Sequence, residues 1–133
     1  MKRILILTHG NFAEGICDSL RMIAGAQDVT TICMQEDDSP KEIEDKLVNY
    51  INQTSPEDKV IVITDIPGGS TTKSAIPLLK SHKNVHVVTG LNLALLLEIV
   101  FIGEDNIAEN ISNAIEASRS SVMYLNDMIG TNE

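Results

Sequence analysis

Short apolar runs alternate along this chain with segments of helical spacing. The first run, Arg3 to Thr8, is β-branched and apolar and reads as a buried strand. Behind it Phe12, Ile16, Leu20 and Ile23 recur at helical spacing. Asn11 is the expected N-cap of that helix, Glu14 its box partner and Gly25 its stop. Val29 to Met34 reads as a second strand. Ser39, Pro40 and Glu42 then supply cap, first-turn proline and box partner to a second helix, with Ile43, Leu47, Tyr50 and Ile51 as its apolar face. A third strand, Lys59 to Thr64, runs through the turn Asp65-Ile66-Pro67-Gly68-Gly69-Ser70 into a helix reaching about Leu79 and bent at Pro77. Val85 to Thr89 reads as a fourth strand, after which Gly90 turns the chain into an apolar helix between Leu91 and Ile102. A last helix covers roughly Ile107 to Arg119. Val122 to Leu125 reads as a short strand and Gly130 to Glu133 as a frayed tail.

This alternation predicts an α/β fold, a doubly wound, mainly parallel sheet with helices on both faces. Residues 1–133 read as one domain, with no internal repeat, low-complexity stretch or linker. The segment from Leu91 to Ile102 is apolar on all sides, so it is either fully buried or covered by another chain.

Composition narrows the function classes. Hydrophobic residues make up 43% and charged residues 22%, which fits a globular rather than a disordered chain. With two Phe, two Tyr and no Trp the core must be aliphatic. A formal net charge of −9 argues against binding a phosphate backbone, and hence nucleic acid, but suits basic partner surfaces. Cys17 and Cys33 make no disulfide framework and read as small buried residues. The apolar run after Lys2 and Arg3 is too short for a signal peptide. Leu91 to Ile102 is likewise shorter than the roughly 20 residues that span a bilayer. A cytoplasmic protein without membrane insertion is expected.

The chemistry should lie where two strand ends meet. Open α/β sheets bind ligands beyond the carboxyl ends of their strands, where the winding reverses. In the common order 2-1-3-4 that point falls between strands one and three. His9 and Gly10 follow the first, and Asp65 with Gly68-Gly69-Ser70 follows the third. An imidazole with one nitrogen free can attack phosphorus, and an acidic partner on the other nitrogen fixes the tautomer and stabilises the imidazolium. Asp65 is the candidate partner. The glycines admit backbone N–H groups close to a phosphoryl group, Ser70 can add a hydroxyl and cap the following helix, and Thr8 can donate another hydroxyl. The N-terminus of the first helix would face the developing charge. A metal on His9 and Asp65 lacks a visible third ligand. His82 and His86 flank the start of strand four, on the opposite rim, and read as surface or structural.

Three segments resemble the IIA component of the mannose family of the bacterial phosphoenolpyruvate-dependent sugar phosphotransferase system. They are Thr8-His9-Gly10-Asn11-Phe12-Ala13-Glu14-Gly15, Thr64-Asp65-Ile66-Pro67-Gly68-Gly69-Ser70 and Thr89-Gly90-Leu91-Asn92-Leu93-Ala94-Leu95-Leu96-Leu97-Glu98. The resemblance covers the chain to about Leu125. It implies a phosphotransferase in which His9 takes a phosphoryl group from the phosphocarrier protein HPr and passes it to a IIB component during sugar uptake. Asp65 would support the histidine, and no tightly bound cofactor is expected because the donor is a phosphoprotein. It also implies a homodimer with a C-terminal strand exchanged between subunits, here Val122 to Leu125. The chain departs from the family after Gly-Gly-Ser, where Pro, a bulky residue and Asn are common and Thr71-Thr72-Lys73 stands instead. Pro67 also replaces a residue that is often aromatic. These changes touch the rim that would meet the IIB partner, and Lys73 adds a positive charge there. Two other roles use the same fold, a phosphoryl donor to a dihydroxyacetone kinase and a regulatory domain phosphorylated at His9. The Gly-Gly-Ser turn favours sugar transport over the kinase donor. A flavin or nucleotide binder is disfavoured by the shortage of aromatics and of a fuller phosphate loop.

Overall fold

In a computed structural model, which describes residues 1–130, parallel strands and helices alternate. The elements are β1 (Lys2–His9), α1 (Phe12–Ala24), β2 (Val29–Met34), α2 (Pro40–Asn52), β3 (Lys59–Thr64), α3 (Ser70–Ala75), α4 (Pro77–Ser81), β4 (Val85–Thr89), α5 (Leu93–Phe101), α6 (Ile107–Arg119) and α7 (Leu125–Ile129). The sheet order is β2-β1-β3-β4 and every pairing is parallel, as the alternation and the common winding predict.

Side chains on a strand point to opposite faces in turn, so each central strand feeds two cores. Ile4, Ile6, Ile61 and Ile63 face α1, α5 and α6, while Leu5, Leu7, Val60 and Val62 face α2, α3 and α4. The apolar runs of β1 and β3 are continuous because both faces are covered. On α2, Ser39 Oγ accepts from Glu42 N at 3.1 Å and Pro40 opens the helix, as its cap signal requires. Ile43, Leu47 and Ile51 are buried and Tyr50 is half-buried.

Several details differ from the sequence reading. On α1 the buried stripe is Ala13, Ile16 and Leu20, whereas Phe12 and Ile23 are exposed. Small Ala13 lets the helix lie close to the sheet and rotates Phe12 outward. The helix expected to bend at Pro77 is divided there into α3 and α4, since Pro77 has no N–H to continue the ladder. The apolar helix starts at Leu93, where Asn92 accepts from Leu95 N at 2.9 Å, and Leu91 lies in the loop before it. Its own chain buries Leu95, Leu96 and Ile99, and leaves Phe101 67% exposed. Lys2 Nζ closes the other end of that helix by donating to the carbonyls of Ile99, Val100 and Ile102 at 2.8–2.9 Å. Cys17 and Cys33 are free and half-buried rather than fully buried.

Within this single chain Val122 to Leu125 forms no strand. Val122 to Tyr124 has no regular structure, Val122 is 84% exposed, and Leu125 begins α7. A strand needs a ladder for its backbone groups, and this segment pairs with no strand of its own chain among the described residues. Gly130 caps α7, and the rest of the expected frayed tail lies outside the described residues.

Packing of α5 within its own chain makes a stability prediction. Leu96→Ala, which empties a fully buried site, should lower the unfolding free energy by about 2–5 kcal/mol. Phe101→Ala should lower it by less than about 1 kcal/mol. Urea titration followed by circular dichroism measures both, and equal losses would contradict this packing.

Candidate functional site

β1 and β3 are neighbours in register, Leu7 beside Thr64, so their carboxyl ends open on the same side of the sheet. Two residues past that pairing on β1 stands His9, and one past it on β3 stands Asp65. Gly10 takes φ +58°, the left-handed region open to glycine, and turns the strand into α1. Its N–H donates to Met34 O at 2.7 Å, which ties the turn to β2.

The two segments meet at the Asp65 carboxylate. Its Oδ2 accepts from the His9 backbone N–H and lies 2.8 Å from His9 Nδ1. Its Oδ1 accepts from Thr71 Oγ1 at 2.7 Å and from Ile66 N at 3.1 Å. Burial opposes the charge on Asp65, but the bonds from the His9 backbone, the His9 ring and Thr71 outweigh it. They hold its carboxyl below the ordinary carboxylate range. An ionised carboxylate only accepts, so in the neutral ring His9 Nδ1 carries the proton and Nε2 the lone pair. Ser70 Oγ, 3.3 Å from Nε2, is then the donor to it.

The ring rests on the glycine turn. A Cβ at Gly69 would sit 2.7 Å from His9 Cε1, so only glycine admits the imidazole here. The His9 side chain is 44% exposed and opens into a cleft of about 920 Å³, lined also by Gly10, Met34, Ser70 and the loop 35–38. Glu36, Asp37 and Asp38 make that loop acidic, and Asp38 Oδ2 accepts from Gln35 N at 2.8 Å. α1, thirteen residues long, begins three residues past His9 and presents its positive end to the same edge of the sheet.

The site residues expected from the sequence divide accordingly. His9, Asp65, Gly69 and Ser70 are brought together, and Gly68 is exposed beside them. Thr8 is not at the surface of the site. It is fully buried, and its hydroxyl accepts from Ala13 N at 2.9 Å and donates to Gly10 O at 3.4 Å. Asn11 stands at the N-cap position of α1 as expected but makes no side-chain cap bond; its Oδ1 accepts from Gln35 Nε2 at 3.2 Å, and the Thr8 hydroxyl meets the first-turn N–H in its place. The amide of Gly10 is engaged by Met34, so Gly10 contributes the turn and the opening rather than a free donor. Ser70 does not cap α3, whose N-cap is Gly69 with no side-chain bond. Thr71 is the residue the sequence reading missed. It stood out only as a departure from a family pattern, although a hydroxyl in the first turn of a helix six residues past Asp65 is a usable signal. Lys73 lies exposed on α3. His82 bonds Ser81 Oγ and His86 is half-buried on β4, both away from the cleft. Among the described residues no cluster of three or more His, Cys, Asp or Glu side chains could hold a metal ion, and no helix is long and apolar enough to cross a membrane.

Comparison with known proteins joins this geometry to a family. The family model described as the PTS system fructose IIA component matches residues 3–106. The sorbose-specific EIIA component of a phosphotransferase system from Klebsiella pneumoniae is 28% identical over 100 residues, 75% of this chain and 73% of that protein. A mannose/sorbose specific IIA subunit from Enterococcus faecalis superposes with a TM-score of 0.84 at 27% identity, over 93% of this chain and 95% of that one. A phosphotransferase system component EIIA from Streptococcus agalactiae gives 0.82 at 27% identity, over 96% and 99%. Sequence match, sheet order and shared architecture agree, and the chain belongs to the mannose-type family of IIA components of the sugar phosphotransferase system.

Proposed function

We propose that His9 Nε2 is the phosphoryl acceptor of this IIA component, with phospho-HPr as donor and a IIB component as the next acceptor during sugar uptake. The observation that carries this is the 2.8 Å contact of His9 Nδ1 with Asp65 Oδ2 beneath a ring whose other nitrogen faces an open cleft. The Nε2 lone pair attacks phosphorus as the bond from phosphorus to the donor nitrogen breaks, and the donor ring leaves with that electron pair. No proton need move, because Nδ1 already carries one. The acceptor ring becomes a cation, and the Asp65 charge stabilises it.

The surroundings suit that charge. Ser70 Oγ can turn from Nε2 to an oxygen of the phosphoryl group. Gly69 N is bound only weakly, at 3.5 Å to Ile66 O, and with Gly68 can offer amides to the same oxygens. The positive end of α1 adds to them. The Asp65 charge and an open cleft, in place of an enclosed pocket, fit a donor and an acceptor that are themselves proteins in the cytoplasm. The acidic loop 36–38 favours basic surfaces on both.

A homodimer belongs to the same reading. Val122, Met123, Tyr124, Leu125, Met128 and Ile129 are all exposed, an apolar run that a second copy would cover. Sedimentation equilibrium should give twice the chain mass, and a monomer at micromolar concentration would contradict it.

Incubation with phosphoenolpyruvate, enzyme I and HPr should add one acid-labile phosphate by intact mass. His9→Ala should abolish the gain, and a gain that persists would remove His9 from the role. Asp65→Asn keeps an acceptor for Nδ1 but removes the charge. It should slow phosphorylation about tenfold to a hundredfold, the scale of a charge-assisted hydrogen bond, with the circular dichroism spectrum unchanged. Unaltered rates would contradict the role of Asp65.

A further inference from the structure

The Asp65 carboxylate could turn about its last bond and present either oxygen to His9, or neither. The His9 backbone N–H holds Oδ2 from the near side at 2.8 Å, and a second hold comes from the far side. Thr71 is fully buried and its hydroxyl, 2.7 Å from Oδ1, meets the oxygen that His9 does not use. A threonine is stiff at χ1, so its hydroxyl is a fixed point. Thr71 lies in the first turn of α3, directly after Gly69 and Ser70, the residues that hold the other edge of the imidazole. Among the described residues the other donor to Oδ1 is Ile66 N at 3.1 Å, from the residue next to Asp65 itself, which moves with it.

We propose that Thr71 is a positioning residue: by holding Oδ1 it points Oδ2 at His9 Nδ1, and so keeps the neutral ring protonated on Nδ1 with Nε2 free. The consequence for the tautomer stands on geometry alone; the consequence for rate rests on the proposed phosphoryl transfer at His9. A threonine hydroxyl also draws charge from Oδ1, in keeping with a carboxyl held below its ordinary range.

The test reads the ring directly. The unphosphorylated full chain, labelled with nitrogen-15 in its histidines, is studied by NMR at about pH 8.5, where an ordinary imidazole of pKa about 6.5 is neutral. His9→Ala identifies the His9 signals against those of His82 and His86. Wild type should show the form protonated on Nδ1. Thr71→Val, which keeps the shape and removes the hydroxyl, should shift a measurable fraction to the form protonated on Nε2. Thr71→Ala should do the same and Thr71→Ser should restore the wild-type spectrum. Phosphorylation from phospho-HPr should slow about tenfold in the Val and Ala variants and recover in the Ser variant. An unchanged tautomer in Val and Ala overturns the proposal, even where the rate falls. Loss of the folded state in both assigns Thr71 to folding and overturns it as well. A shifted tautomer in a protein that HPr never phosphorylates leaves Thr71 in its role and removes the phosphoryl reading instead.

Discussion

One carboxylate binds the site together. Asp65 receives the His9 backbone and ring on one oxygen, and Thr71 with Ile66 on the other. Those donors come from the end of β1, the start of α3 and the turn between β3 and α3. Removing the carboxylate altogether would leave a half-buried cluster of donors without an acceptor, which is why the arrangement is unforgiving. The orientation of the imidazole, and with it the nitrogen that the proposed phosphoryl transfer would use, follows from this one group.

The sheet makes the meeting possible. Because β1 and β3 are parallel neighbours, their ends release two loops on the same edge although 56 residues separate His9 from Asp65. The apolar layers beneath need no contact with that chemistry. Ile6, Leu7, Ile61 and Ile63 are fully buried and set the register, while the residues just beyond them are free to be polar. Two close approaches finish the design. Gly10 turns the chain at positive φ, and Gly69 leaves room for the ring edge.

The sequence carried the period-driven features well and the side-chain directions less well. Val60 to Ile63 announces a strand covered on both faces, and Ser39-Pro40 announces a helix start, because each rests on local physics that tertiary context left intact. His9 and Asp65 were legible as a pair through the winding rule. Thr8, Asn11 and Ser70 were harder, because a short polar side chain near a helix start can cap, brace a loop or reach a ligand. Only the three-dimensional neighbours decide among these. The buried hydroxyl of Thr8 meets a first-turn N–H of α1, the amide of Asn11 braces Gln35, and Ser70 reaches His9. Thr71 was hidden for the same reason. Val122 to Leu125 has the composition of a strand but no partner strand among the described residues of its own chain, and composition alone cannot supply a ladder.

The central claim is that Asp65 holds the proton on His9 Nδ1 and so leaves Nε2 to carry the phosphoryl group. Nitrogen-15 and phosphorus-31 NMR of the phosphorylated protein identifies the bonded ring nitrogen through its coupling to phosphorus. The account predicts phosphorus on Nε2 of His9 with Nδ1 still protonated. Phosphorus on Nδ1, or on any other side chain, would contradict it.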